Sequence, residues 1–284
     1  MPELPEVETI VRALRQGGRG GAPILGQVIC EARLLWERTL AEPDPQTFLQ
    51  RLPGQEVVDI GRRGKFLVIT LSADSLLIHL RMSGDLRVEP AYDSAGQPVP
   101  DQPHDRMVIH FDGSPESRLR LAFNDTRKFG RVWLVPTPEI VLGQLGPEPF
   151  DADFTEEEFF RRLQRVNRQI KPLLLDQRFV AGLGNIYADE ALHAAGIHPL
   201  RSSASLSAGE AARLWAAIRE ALSEGIRRNG ASFDWVYRGG EFQNYFRVYQ
   251  REGQPCPRCG TPIVKITVGQ RGTHFCPVCQ TTDF

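Results

Sequence analysis

Cys256-Pro-Arg-Cys259 and Cys276-Pro-Val-Cys279 stand sixteen residues apart within the last thirty positions of a 284-residue chain. Two tight knuckles offering two thiols each suit a tetrahedral Zn²⁺, and paired CxxC elements favour metal over disulfides. The spacer reads as a hairpin: Pro262 to Val268 and Thr273-His274-Phe275 are the expected strands, and Gly269-Gln270-Arg271-Gly272 the expected turn, with Arg271 at its tip. With all four ligands spent on cysteines, the site is expected to be structural, holding one zinc ion and presenting Arg271. His274 is expected as a strand residue rather than a ligand. The fifth cysteine, Cys30, stands alone.

Outward from this element, an apolar fraction of 41% and a charged fraction of 24% are those of a soluble globular chain. No apolar run approaches the roughly 18 residues of a membrane span. The first ten residues hold three glutamates and no basic residue, unlike an export or transit signal, so a cytoplasmic location is expected. The net charge of −1 does not announce a nucleic-acid partner. The local distribution is uneven: Arg161, Arg162, Arg165, Arg168, Lys171 and Arg178 face only Asp176, and residues 227–271 hold eight basic residues against three acids. A polyanion could bind there; for either cluster alone a solvated face is the preferred reading.

Val7, Ile10, Val11 and Leu14 form an i, i+3, i+4, i+7 stripe over Pro5 to Gln16, closed by Gly17-Gly18, which predicts an amphipathic N-terminal helix. Six short β-type runs follow, at Val57 to Ile60, Phe66 to Leu71, Leu76 to Leu80, Met107 to Phe111, Leu119 to Phe123 and Val132 to Val135, and predict a β-sandwich or barrel. Glu89 to Gln102, rich in Pro, Asp and Gly, reads as a loop. After Gly146-Pro-Glu-Pro149 the texture becomes helical: Thr155 with Glu158 and Ser207 with Glu210 fit the capping box, and shorter helices flank Gly182-Leu-Gly-Asn185.

Met1-Pro2-Glu3-Leu4-Pro5-Glu6 carries a second chemical signal. Methionine ahead of proline is normally removed, which would give Pro2 a free secondary amine beside Glu3 and Glu6. An α-amine of pKa about 7.7 to 8 is roughly 10 to 20% unprotonated at pH 7, against well under 0.1% for an ordinary lysine, so it could act as a nucleophile. On these residues alone the favoured alternative is a helix start, where proline's fixed φ and acidic side chains are at home.

Met1-Pro-Glu-Leu-Pro-Glu-Val-Glu-Thr9, Arg63-Gly-Lys65, His79-Leu-Arg-Met-Ser-Gly84, Asp125-Thr-Arg-Lys-Phe-Gly130, Leu145-Gly-Pro-Glu-Pro149, Gly184-Asn-Ile-Tyr-Ala188 and the four-cysteine element together resemble the bacterial formamidopyrimidine-DNA glycosylase family. The motifs run the length of the chain. The resemblance implies an α+β multidomain fold: an N-terminal β-sandwich with its helix over 1–136, a helix-two-turns-helix domain over 150–230, a lesion-capping loop and connector over 231–249, and a zinc finger hairpin over 250–284.

It also implies an activity. Pro2 would attack C1′ of an oxidised purine nucleoside and form an iminium, Glu3 would act as general acid/base with Glu6 in support, and Lys65 and Arg271 would complete the catalytic set. Met82, Arg127 and Phe129 match a wedge that fills the space left by the extruded base, with Arg127 addressing the orphaned cytosine. His79, His104, Asn185, Tyr249, Lys265 and Arg271 match phosphate-holding positions, with Arg168 a further candidate, in a DNA cleft between domains. The partner would be double-stranded DNA containing an oxidised purine or an abasic site, met by a monomer. Two departures bear on substrate range: Tyr249-Gln250-Arg251 stands where the family has Tyr-Gly-Arg, and the capping segment has its own Phe233, Trp235, Tyr237, Arg238 and Phe242. Two alternatives remain: an endonuclease VIII-like enzyme for oxidised pyrimidines, and a non-enzymatic zinc-containing DNA-binding protein.

Overall fold

The computed structural model describes residues 1–114, 116–232 and 239–281. The chain divides into two compact units, one of Met1–Pro2, Glu6–Gly143 and Ser232–Gly239, the other of Glu3–Pro5, Gln144–Ala231 and Gly240–Phe284.

Helix α1 (Leu4–Gln16) turns its expected stripe into the core of the first unit: Val7, Ile10, Val11 and Leu14 are all buried. Strands β1 (Ile29–Leu34) and β2 (Leu40–Glu42) and helix α2 (Pro45–Arg51) precede the first expected strand. Then come β3 (Val57–Arg63), β4 (Phe66–Leu71), β5 (Ser75–His79), β6 (Gly84–Pro90), β7 (Asp105–Phe111), β8 (Leu119–Asp125), β9 (Arg131–Val135) and the short helix α3 (Glu139–Leu142). They form a five-stranded sheet of order β2-β9-β5-β4-β3 and a four-stranded sheet of order β1-β7-β8-β6. Alternate residues of both sheets, Ile60, Leu67, Ile69 and Leu134 from one and Met107, Ile109, Phe111, Leu121 and Phe123 from the other, share one apolar core. This is the expected β-sandwich.

Each of the six expected strands exists: β4 at its expected bounds, β5 shifted by one residue, and β3, β7, β8 and β9 extended by one to three residues at one end. β1 escaped the sequence pattern because a bulge between Ile29 and Glu31 breaks its alternation, leaving Ile29 and Ala32 buried and Leu34 partly buried against the core. The first residues of the expected loop at Glu89 instead close β6. Helix α2 starts where Asp44 accepts from the Thr47 N–H with Pro45 in the first turn.

The second unit is helical: α4 (Glu156–Gln164), α5 (Ile170–Leu174), α6 (Asn185–Ala195) and α7 (Ala208–Arg227). Its core gathers Phe154, Phe159, Phe179 and Trp215, with Phe159 stacked on Trp215 at 5.2 Å. Ser207 and Glu210 form the full reciprocal capping box at α7. Although burial pushes the Glu210 carboxyl up, the Arg201 guanidinium and the Ser207 N–H and hydroxyl hold it down at about 2. Thr155 makes only half of its box: Thr155 Oγ1 accepts from Glu158 N, while the Glu158 carboxylate is drawn to Arg161 and Arg162. The hairpin β10 (Val264–Val268) and β11 (Arg271–Phe275) completes this unit. Its turn is the pair Gly269-Gln270, both with positive φ, so Arg271 is the first exposed residue of β11 and pairs with Val268.

Candidate active site and nucleic-acid interface

In the first unit the three expected wedge residues sit on two turns. Met82 (40% exposed) follows β5, and Arg127 and Phe129 (49% exposed) follow β8. Exposure of this size for a methionine and a phenylalanine sets them apart from the core. A single carboxylate holds both turns. Asp125, fully buried, accepts the Ser83 hydroxyl on Oδ1, the Arg127 N–H at 3.2 Å on the same oxygen and the Gly130 N–H at 2.7 Å on Oδ2. The Arg127 guanidinium lies 5.1 Å from the Phe129 ring centre, so the two present one cationic, flat surface. Lys128, between them at φ +61°, turns back over Trp36.

Lys65 and His79 are neighbours through the Phe66↔His79 register of β4 and β5, and both are buried. Burial, then the charges of Arg81 and Lys65, pull His79 down to about 3, so the imidazole is neutral. Its Nδ1 accepts the Arg81 N–H at 3.0 Å, which leaves the hydrogen on Nε2. His79 can therefore serve an anion as a neutral N–H donor. Pro2 and Glu6 are buried in the same unit, with the Pro2 nitrogen in the peptide bond to Met1. His104 is exposed, at φ +76°, and its Nδ1 lies 3.3 Å from Arg106.

In the second unit Glu3 is 2% exposed, and its Oε1 accepts the Ile186 N–H at 3.0 Å, in the first turn of α6, where a negative charge is favoured. The approach is possible only over glycine: a Cβ on Gly184 would stand 2.3 Å from Glu3 Cδ, and one on Gly182 (φ +97°) would stand 2.5 Å from Leu4 Cδ1. Leu4 N–H closes the contact on Gly182 O at 3.1 Å.

The hairpin, with the stretch at 247–249 before it, is fastened to α5 and α6 by Lys171, Asp189 and Glu190, for which the sequence reading assigned no such role, and by Asn185, expected as a phosphate contact. Lys171, counted above with a basic surface cluster, is fully buried: its Nζ pairs with Asp189 at 2.6 Å and donates to Thr273 Oγ1 at 2.7 Å and Gly272 O at 3.1 Å. Burial pulls the Lys171 ammonium down, and Asp189 and Glu3 oppose it. Asp189 also takes the His274 N–H at 2.9 Å, so His274 is a strand residue clamped to α6. Asn185 adds Nδ2 to Gly272 O at 3.0 Å. Glu190 accepts three consecutive N–H groups, of Arg247, Val248 and Tyr249, although burial pushes its carboxyl up. A lone lysine in Ile-Lys-Pro-Leu-Leu and an acidic pair in an otherwise apolar helix were the available signals.

Arg271 and Lys265 are exposed, and Tyr249 is half-buried, its ring edge-on to His274 at 5.2 Å. Arg168 is exposed and pairs with Asp176 at 2.8 Å. Its neighbours Arg161 and Arg162 pair with Glu158, and Arg227 and Arg228 with Glu224, so much of the basic excess is matched locally. Of the capping segment, Phe233, Trp235, Tyr237 and Arg238 lie outside the described residues, while Phe242 is buried and stacks on Tyr187 at 5.1 Å. Gln250, in place of the family glycine, sits at φ +56° with its side chain exposed, which explains why a glycine suits the position.

The four cysteine sulfurs lie within 4.8 Å of one another, Cys256 to Cys279 at 3.9 Å and Cys259 to Cys276 at 3.5 Å. A tetrahedron with Zn–S of about 2.3 Å requires sulfurs about 3.8 Å apart. Backbone N–H groups of Arg258 and Cys279 reach Cys256 and Cys276 at 3.4 Å, closing each knuckle. The cluster fits one structural zinc ion.

A helical unit whose central turn is built on close-approach glycines and whose C-terminal hairpin carries a four-thiolate metal centre defines a helix-two-turns-helix protein with a zinc finger. Residues 1–132 match the formamidopyrimidine-DNA glycosylase N-terminal domain, 145–235 the H2TH domain of that enzyme, and 253–282 the zinc finger found in FPG and IleRS. The chain belongs to the formamidopyrimidine-DNA glycosylase family. Relatives of that name from Pelotomaculum thermopropionicum and Chloroflexus aggregans are 42% and 44% identical, over 99% of this chain and 99% and 98% of theirs. Solved structures of Lactococcus lactis Fpg with abasic-site DNA and with N7-benzyl-Fapy-dG DNA are similar at TM-scores of 0.88 and 0.87. Both are 37% identical and cover 99% of this chain and 100% of theirs.

Proposed function

We propose that this chain excises oxidised purines, 8-oxoguanine and formamidopyrimidines, from double-stranded DNA and then cuts the abasic strand, acting as a monomer in the cytoplasm. The observation that carries the reading is the setting of Glu3. Its carboxylate is buried against the first turn of α6 over Gly184, next in sequence to Pro2. A group fixed in this way suits proton transfer beside the Pro2 nitrogen.

Once Met1 is removed, the Pro2 amine attacks C1′, and the C1′–N bond to the base breaks. Glu3 delivers a proton to the sugar-ring oxygen as the ring opens to the iminium, with Glu6 in support. β-Elimination then expels the 3′ phosphate and δ-elimination the 5′ phosphate, with Lys65 as a proton carrier; water frees Pro2. Met82, Phe129 and Arg127 occupy the gap in the duplex. His79, His104, Arg168, Asn185, Tyr249, Lys265 and Arg271 hold phosphates, and the zinc ion keeps the Arg271 hairpin folded. Among the described residues no helix is long and apolar enough to cross a membrane. A wider lesion range has its own support, because a similar Lactococcus lactis Fpg was solved with DNA containing an oxidised pyrimidine.

Borohydride trapping on an 8-oxoguanine duplex tests the reading. The processed chain is expected to give a covalent adduct mapped to Pro2, and retention of Met1 to abolish trapping and base release together. An adduct formed at an unchanged rate with Met1 in place would move the nucleophile to a lysine, Lys65 first. No adduct at all would leave a DNA-binding role only.

A further inference from the structure

His193, on α6, points at the metal centre. Its Nε2 lies 3.3 Å from Cys256 Sγ, and the residue is 1% exposed. A zinc-bound thiolate only accepts hydrogen bonds, so the facing ring nitrogen carries the hydrogen. Nδ1 is then a bare lone pair, buried and without a hydrogen-bond partner among the described residues. Among the described residues the sulfur is therefore the ring's one hydrogen-bond partner, where a histidine serving packing would satisfy a backbone or carboxylate partner. At the next residue of α6 the Arg258 guanidinium donates to Ala194 O at 3.0 Å, so the first knuckle is latched to α6 at two adjacent points.

We propose that His193 is a positioning residue for the zinc centre: its Nε2–H draws charge from the Cys256 thiolate, suppresses that sulfur's nucleophilicity and directs electrophiles to the exposed Cys259. Cys256 has a second donor in the Arg258 N–H at 3.4 Å and is 3% exposed, whereas Cys259 is open to solvent. Outer-shell donors to metal-bound ligands tune a site in this way.

The test treats the zinc-loaded full chain with excess iodoacetamide. A thiolate sulfur attacks the CH₂ carbon, the S–C bond forms, the C–I bond breaks and iodide leaves; the alkylated sulfur no longer holds zinc. A chromogenic chelator reads the release and peptide mapping reads the site. Wild type is expected to be labelled first at Cys259. His193→Phe, which fills the space without a donor, is expected to release zinc about 10-fold faster with Cys256 among the first residues labelled, the low end of what losing an outer-shell partner costs a site. His193→Gln, which can return an N–H, is expected to restore most of the wild-type rate. Release from His193→Phe at the wild-type rate would overturn the proposal. So would faster release with all four cysteines labelled alike and a lowered melting temperature, or a His193→Gln chain that behaves as His193→Phe does.

Discussion

Ser83 donates its hydroxyl to the Oδ1 of Asp125, and through that bond the turn bearing Met82 and the turn bearing Arg127 and Phe129 share one buried carboxylate. Hydrogen bonds to a charged group contribute about 1.5 to 3 kcal/mol each, not additively, so Asp125→Ala is expected to cost about 3 kcal/mol or more and Ser83→Ala about 1 to 2. Urea unfolding of the two single variants and the double variant should give a coupling of about 1 kcal/mol or more. Strict additivity would mean that the two turns are independent.

Because Asp125 grips Arg127 by its backbone, Arg127→Ala removes the side chain without releasing the turn. Lesion binding opposite cytosine is expected to weaken by about 1 to 3 kcal/mol, the usual worth of a good base contact, with undamaged duplex affected little. Binding titrations on matched duplexes measure this. Equal losses on both would make Arg127 a phosphate contact.

His79 supplies a pH dependence with a definite sign. Its pKa is held at about 3, against about 6.5 unfolded, so between these values the unfolded chain binds a proton that the native chain does not. Its contribution is complete above about pH 6.5 and is lost as pH falls toward 3, at up to about 1.4 kcal/mol per pH unit. Unfolding free energies of His79→Gln measured over this window should fall less steeply than those of wild type.

Much of this was legible beforehand. The short β-type runs of β3 to β5 and β7 to β9 pointed to a sandwich or barrel and the family resemblance to the sandwich, the 3.6-residue stripe to α1, and the cysteine spacing to the metal centre. What escaped was polar and buried. Asp125, Lys171, Asp189 and Glu190 act through hydrogen bonds to groups up to 102 positions away, such as Lys171 to Thr273, and no local periodicity records such a partner. The hairpin turn is two residues shorter than Gly269 to Gly272, because the positive φ of Gln270 lets the strand begin at Arg271 although Arg271 and Gly272 have turn character.

Lys171 and Asp189 are both within 1% of complete burial, so removing one partner strands the other. Lys171→Met is expected to cost about 3 to 5 kcal/mol, and Asp189→Leu more, because Asp189 also receives His274. The double variant should recover part of the loss. Denaturant unfolding with zinc content in parallel would decide; independent losses would mean the pair is not coupled.

Gln250 sits at a left-handed φ with an exposed side chain. A non-glycine residue there costs roughly 1 to 2 kcal/mol, part of which glycine gives back as chain entropy. Gln250→Gly is expected to raise stability by about 0.5 to 1 kcal/mol, read as a higher melting temperature. A lower one would show that the glutamine side chain makes a compensating contact.

Asp189 and Glu190 are sequence neighbours on α6, yet one clamps β11 and the other gathers the three residues at 247–249 that lead into the finger. Successive helical residues point about 100° apart, so this one step of α6 indexes two separate stretches of chain at a fixed angle. The helix works as a gauge whose phase matters more than its composition. One residue inserted between Asn185 and Asp189 would swing both carboxylates by about 100° and part them from both stretches at once. Chains descended from this one can therefore lengthen at surface loops such as 91–103, but the count from Gly184 to Glu190 has no freedom to drift.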